Sequence, residues 1–400
     1  MTPPTADSAS VKVFQDYLRI ETVQPNPDYD SAVKFLKSQA EIAGLAFTVV
    51  TPVKDKPVVL LTWEGLDPSA PSILLNSHID VVPVFPEHWK YPPFSAHIDE
   101  KGDIYARGTQ DMKSVGIQYL EAVKRLKAEG KRLKRTVHLC FVPDEEVGGK
   151  LGMHKFVQTK EFNKLNVGFA LDEGAACEDD LYIVYSGERS VWWLEVTIQG
   201  SPGHGSRFLE NTAAEKARKL VNRLLDFREE QRQKLVSNPK LCLGDVISVN
   251  WTMARAGVQV NVVPAEFVVT FDIRVPPSCL DNLEADLQRW IRECCGPDDA
   301  KINWLQQDKF PSVTPTDDGN PFWTAFQNTM TSMNNKIRLE TFFGATDARY
   351  LREVGVPALG FSPISNTPQL LHDHNEFLNE KVFLNGIRVY QQLIPALANV

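Results

Sequence analysis

Two adjacent carboxylates, Glu145 and Glu146 in the run CFVPDEEVGG, stand at the end of an apolar stretch. A buried carboxylate without a partner carries a large desolvation penalty, so such groups are normally paired, protonated or bound to a metal. The run HLCFVP ahead of the pair is apolar and strand-like, and the two glycines behind it turn the chain, so both side chains emerge at one strand mouth. One of them can ligate a cation while its neighbour stays free as a base. Two acids on a solvated loop would be the plainer reading of an isolated pair. Further ligand types at other strand ends weigh against it.

In SILLNSHIDVVP, His78 and Asp80 stand two apart at the end of an apolar strand. They project to one side, close enough for the carboxylate to orient a metal-bound imidazole. Asp111 opens a strongly apolar helix in ARGTQDMKS, Glu173 ends the strand run GFALDEG, and His372 follows much later in LLHDHNE. Taken singly, each has a structural explanation. The histidine and aspartate could be packing residues, and Asp111 could simply cap a helix whose dipole welcomes an anion. Taken together, these segments fall where doubly wound α/β sheets end their strands and build their sites. One imidazole and one carboxylate per metal, plus one shared carboxylate, would hold two Zn2+ ions with positions left open for water. On this reading His78, Asp111 and Glu173 hold one zinc, and Asp111, Glu146 and His372 the other, with Asp111 as the bridge.

A chain of 400 residues exceeds the length at which one core usually divides, so two domains are expected. A net charge of -8 argues against nucleic acid as the main partner. The basic cluster from Lys124 to Arg135 reads as a solvated helix end. The start MTPPTADSAS lacks the pattern of a signal peptide, and no apolar run reaches the ~20 residues of a membrane span, so a cytoplasmic location is expected. Six cysteines without CxxC spacing fit reduced thiols.

Up to about residue 187, helical patterns alternate with strand runs at 58–64, 72–79, 136–143, 168–172 and 181–186, with helices at 31–43 and 114–129. From about 190 the pattern becomes βαββαβ, a split βαβ sandwich. Its strands alternate, with Trp192, Leu194, Val196 and Ile198 inward on the first, and Ile247, Val249, Trp251 and Met253 inward on the second. A helix is expected to open at Thr212 with Glu215 as its capping-box partner. After a Pro-rich stretch, α/β character returns. The expected architecture is therefore an α/β, doubly wound catalytic domain, residues 1–187 and 308–400, interrupted by a ferredoxin-like domain at 188–307.

The motifs SHIDVVP, ARGTQDMK, VPDEEVGG, ALDEG, GSPGHGSRFLENTAAEKA, FDIR, FGATDARY and LLHDHNEF resemble those of the dinuclear zinc aminoacylase and carboxypeptidase family, from about residue 10 to 398. The resemblance implies zinc-dependent hydrolysis of an N-acyl-L-amino acid, chiefly N-acetylated, with Glu145 as the base and Asp80 as the support of His78. It also implies that the interrupting domain is a lid that forms a homodimer and lends His204 to the neighbouring subunit's oxyanion. Arg274 would then grip a substrate carboxylate, though on its strand it could equally pair with Asp272 or Glu266. Asn261 is similar to a substrate-contacting residue, and Gly344 allows close backbone approach or merely turns the chain. A dipeptidase or carboxypeptidase of the same family is the nearest rival expectation, and a noncatalytic scaffold on the same fold is the other.

Overall fold

The computed structural model describes residues 5–400, so the first four residues of the N-terminal stretch read for a signal sequence lie outside it. Two compact units divide the chain. The first comprises the described residues up to Ser186 together with Thr314–Leu339 and Thr346–Val400; the second comprises Gly187–Val313 and Glu340–Ala345. The return to the first unit thus falls a few residues later than the sequence pattern suggested, and Glu340–Ala345, which includes the first three residues of FGATDARY, groups with the second unit. Among the described residues, no helix is long and apolar enough to cross a membrane.

The first unit is built on an eight-stranded sheet ordered Ala46–Val53, Lys56–Trp63, Val137–Val142, Ser72–His78, Val167–Asp172, Ala358–Phe361, Tyr182–Glu188, Ile337–Phe342. Strand Ser72–His78 runs parallel to both Val137–Val142 and Val167–Asp172. All three are rich in apolar residues and buried along most or all of their length, as strands covered on both faces must be. Their C-terminal ends therefore share one edge of the sheet. His78 closes the first, the Glu145–Glu146 turn follows the second and Glu173 follows the third.

Helix Lys113–Ala128 buries residues on every side, including Ile117, Leu120 and Val123. A Cβ on Gly116 would lie 2.7 Å from Ser77 Oγ and 2.8 Å from Phe141, so only glycine lets this helix sit so close to the strands that carry the site. Helix Tyr29–Ala43 starts two residues earlier than expected, because Asp28 accepts the capping bond from Ser31 N–H at 3.0 Å.

In the second unit the elements run β–α–β–β–α–β, with strands ordered Ser248–Ala256, Glu266–Val275, Ser190–Gln199, Ala300–Gln307. Helices Ala213–Ser237 and Leu280–Cys295 supply the other half of its core, where Leu220, Leu224, Leu287 and Trp290 meet Trp192, Val249, Phe271 and Ile273. Thr212 caps the first of these helices on Glu215 N–H. One expectation fails. Trp251 and Met253 are 45% and 58% exposed, because the edge strand Ser248–Ala256 shifts register between them and its outer half leaves the core.

Candidate metal site

Asp111 lies just ahead of helix Lys113–Ala128, whose cap position is Met112 and which draws no side-chain capping bond. Helix capping therefore does not account for Asp111. Its two carboxylate oxygens instead face two different imidazoles: Oδ1 is 2.8 Å from His78 Nε2, and Oδ2 is 3.3 Å from His372 Nε2. Glu146 Oε2 lies 3.0 Å from the same His372 nitrogen, and Glu173 Oε2 lies 3.6 Å from His78 Nε2. Ligand atoms of His78, Asp111 and Glu146 all fall within 4.8 Å of one another, as do those of His78, Glu145 and Glu173. The first unit thus gathers all six of these residues at one place. His372, half-exposed, comes from a loop and adopts a left-handed backbone with φ 62°.

Asp80 supports this cluster differently from the sequence expectation. His78 Nδ1 donates to the backbone carbonyl of Asp80 at 2.8 Å, while the nearest Asp80 carboxylate oxygen is 3.9 Å away. With Nδ1 committed as donor, a neutral His78 presents its Nε2 lone pair toward Asp111 and Glu173. The Asp80 carboxylate is taken up elsewhere. It accepts the backbone N–H groups of Glu145 at 3.1 Å and Glu146 at 3.2 Å, and the amide of Gln24 at 2.8 Å. Asp80 therefore fixes the imidazole through its main chain and the paired glutamates through its side chain.

The turn bearing the pair is braced from behind. Asp144, with φ 64°, accepts from Tyr29 Oη at 2.7 Å and Lys56 Nζ at 2.8 Å. Gln24 bridges Asp144 to Asp80. Gly149 has φ 65°, and a Cβ there would fall 2.2 Å from Asp347 Oδ1, so the turn requires glycine. Arg349 Nη2 and Tyr350 Oη both donate to Gly148 O, at 2.7 and 2.6 Å.

Electrostatics show what is missing from this arrangement. Burial, then the charge of Glu173, pushes Glu145 well above the usual carboxylate range. Burial followed by Asp111 raises Glu173 well above it and lifts Glu146 to about 7. Burial opposes charge on Asp111 too, yet its bonds to His372 and His78 hold it low. His372 rises to about 10 through its bonds to Asp111 and Glu146. Four carboxylates thus converge on two imidazoles, and Glu146 Oε1 is buried without a hydrogen-bond partner. Excess buried negative charge beside two imidazoles, that of His78 with its tautomer fixed by the Asp80 carbonyl, is the donor set of divalent cations with borderline-soft character.

The remaining sequence candidates lie in the second unit. Arg274 and Gly344 line the same cavity of about 630 Å³, with Arg189, Arg228 and Arg232 also on its wall. Arg274 does pair with Asp272, its Nε and Nη2 donating at 2.7 and 3.1 Å. His204 is exposed, its Nδ1 2.8 Å from Ser206 Oγ. Asn261 is nearby, since its carbonyl accepts from Gly205 N–H at 2.8 Å. Sequence reasoning missed Arg107, Gln110 and Glu376, which sit inside the very motifs ARGTQDMK and LLHDHNEF. The sequence offered only their polar side chains within those motifs; that all three are buried is seen in the fold alone.

The model of the peptidase family M20/M25/M40 matches residues 74–396. Mouse (Mus musculus) aminoacylase-1 is 52% identical over 398 residues, covering 99% of this chain and 97% of that protein. Aminoacylase-1 of Dictyostelium discoideum is 44% identical, with 98% of both chains covered. Among solved structures, the Bacillus subtilis YXEP protein, described as a dinuclear metal-binding peptidase of the M20 family, superposes with a TM-score of 0.73 at 16% identity, over 98% of each chain.

Proposed function

Because the chain belongs to the peptidase family M20/M25/M40, we propose that it is a metal-dependent amidohydrolase cleaving N-acyl-L-amino acids, chiefly N-acetylated ones, to a carboxylate and the free amino acid. The substrate class rests on its near full-length similarity to aminoacylase-1. The observation that carries the chemistry is the Asp111 carboxylate, with one oxygen toward each imidazole, beside the glutamate pair.

We assign His78, Asp111 and Glu173 to one Zn2+ and Asp111, Glu146 and His372 to a second. When bound, such ions supply Lewis acidity toward the amide carbonyl and acidify water. Glu145 takes a proton from the attacking water and delivers it to the departing amine nitrogen. Asp80 holds Glu145 in register by accepting its backbone N–H. Arg274, with its fork kept in orientation by Asp272, receives the substrate α-carboxylate, while Gly344 lines the same cavity and Asn261 contacts substrate.

The second unit serves as lid and as the interface of a homodimer, across which His204 reaches the partner's developing oxyanion. Support comes from its edge strand and the loop beyond. Trp251, Met253 and Val258 are left in solvent there, 45%, 58% and 99% exposed, a pattern that a second copy would cover. The proposed location is the cytoplasm.

Acetate release from N-acetylmethionine, measured with and without a chelator, tests the reading. Chelator-sensitive acetate release is expected. Release of amino acids from dipeptides without acetate release would assign the chain to a peptidase instead, and neither activity in zinc-replete protein would leave a scaffold.

A further inference from the structure

Glu376 lies four residues past His372 and is fully buried. Both of its oxygens are bound by one short segment. Oε1 accepts the backbone N–H groups of Gln110 at 2.6 Å and Asp111 at 3.3 Å, and Thr109 Oγ1 at 3.3 Å. Oε2 accepts Gly108 N–H at 3.1 Å and Arg107 Nη1 at 2.8 Å. One carboxylate thus gathers donors from residues 107–111, the segment that ends on Asp111. Further bonds tie the same segment to the backbone around Glu376. Arg107 Nη2 donates to the carbonyl of His372 at 3.3 Å. The Gln110 side chain donates to Pro368 O at 3.0 Å and Phe377 O at 2.9 Å, and accepts Leu370 N–H at 3.0 Å.

These bonds join two segments about 260 residues apart in sequence, each carrying a ligand of the same half-site. The two have different needs. Asp111 must present one oxygen to each imidazole, so the rotation of its peptide matters. His372 holds a left-handed backbone that a residue with a Cβ keeps only under outside constraint. Glu376 answers the first need by binding the Asp111 N–H, and Arg107 the second by binding the His372 carbonyl. Each of these bonds has one charged partner, the Glu376 carboxylate as acceptor in the first and the Arg107 guanidinium as donor in the second, which makes it stronger than a neutral pair.

We propose that Glu376, acting with Arg107 and Gln110, is a positioning residue that sets Asp111 against His372 and thereby the metal affinity of the half-site they share with Glu146. The inference rests on the two-metal reading above, and the following measurement separates the two.

Zinc binding to the full-length chain is titrated against a competing chelator, and the melting temperature of the zinc-free protein is recorded alongside. Wild-type chain is expected to hold two zinc equivalents; a single equivalent would overturn the two-metal reading and this half-site with it. Glu376→Gln keeps the shape but removes the charge, and should weaken the equivalent held with His372 by about 10- to 100-fold, the usual effect of losing a partner that orients a metal ligand, while the other, which shares Asp111 but not His372, weakens clearly less. A purely structural role predicts the opposite pattern, a lower melting temperature for zinc-free protein with unchanged zinc affinity in the folded fraction, and that result would overturn the proposal. Should Glu376→Gln not fold, Gln110→Ala removes only uncharged ties between the same segments. It must show the same selective weakening of one equivalent, and wild-type affinity there overturns the proposal equally.

Discussion

Glu145 and Glu146 are neighbours in sequence but diverge in space. Glu146 reaches His372, whereas Glu145 lies within ligand reach of His78 and Glu173. Proximity alone therefore does not separate base from ligand, and substitution does. Glu145→Gln is expected to retain bound metal and to lose about 10² to 10⁴ in turnover, the range for a missing general base. Glu146→Gln should shed metal, because it leaves His372 and Asp111 without their third partner. Elemental analysis of both purified variants checks the pair, and a metal-free Glu145→Gln protein would reverse the assignment. Arg274 is a different case, since its ion pair with Asp272 is present and its catalytic role is a proposal. Removing it should weaken free-acid substrates by roughly 2 to 5 kcal/mol, the usual loss for a buried charge-assisted contact, and the corresponding amino-acid amides much less. Equal losses on acids and amides would show that Arg274 acts on the fold of the second unit, not on the carboxylate.

The parallel strands position the site because their buried lengths fix where their ends fall. Such burial has a pH consequence. His138, on strand Val137–Val142, sits with Nδ1 2.9 Å from Thr62 Oγ1, and burial lowers its pKa to about 4. An unfolded histidine protonates near 6.5, so below that pH the unfolded chain takes up a proton that the folded chain refuses. The stability held above pH 6.5 is thus lost as pH falls toward 4, by about 3 kcal/mol in full. In metal-free protein, urea midpoints of wild type should fall more steeply across this window than those of His138→Gln. Superimposable profiles would show that another group supplies the slope. The edge strand Ser248–Ala256 teaches a converse lesson. Its alternation is clean in sequence, but alternation states only which residues share a face, and the register shift at Trp251–Met253 decides where that face stops being covered.

If two copies share their sites, complementation should reveal it. His204→Asn and Glu145→Ala chains, each nearly inactive as a homodimer, are co-expressed with different tags and the mixed dimer is isolated. A histidine that crosses the interface leaves one site with an intact Glu145 and the other chain's intact His204, and activity returns to about half of wild type per dimer. A mixed dimer as inactive as its parents, with zinc bound by both chains, would place His204 in its own chain's chemistry or outside the chemistry altogether.

What the sequence determined by itself was the inventory. Apolar runs of strand length, each ending in His78, Glu145–Glu146 or Glu173, marked the strand ends, because burial on both faces demands such runs and charge cannot continue them. The change from alternating helices and strands to βαββαβ near residue 190 likewise located the inserted unit, since periodicity records which faces are buried. Local pattern carries no information about partners far along the chain, so the rest waited for the tertiary structure. Only the folded chain brought His372 to the Asp111 oxygen that His78 leaves free, turned the Asp80 carboxylate from the imidazole to the glutamate backbone, and enclosed Glu376 in the donors of residues 107–111. Each of these depends on an angle or a distance between segments, and those are fixed by packing between elements, which no spacing within one motif records.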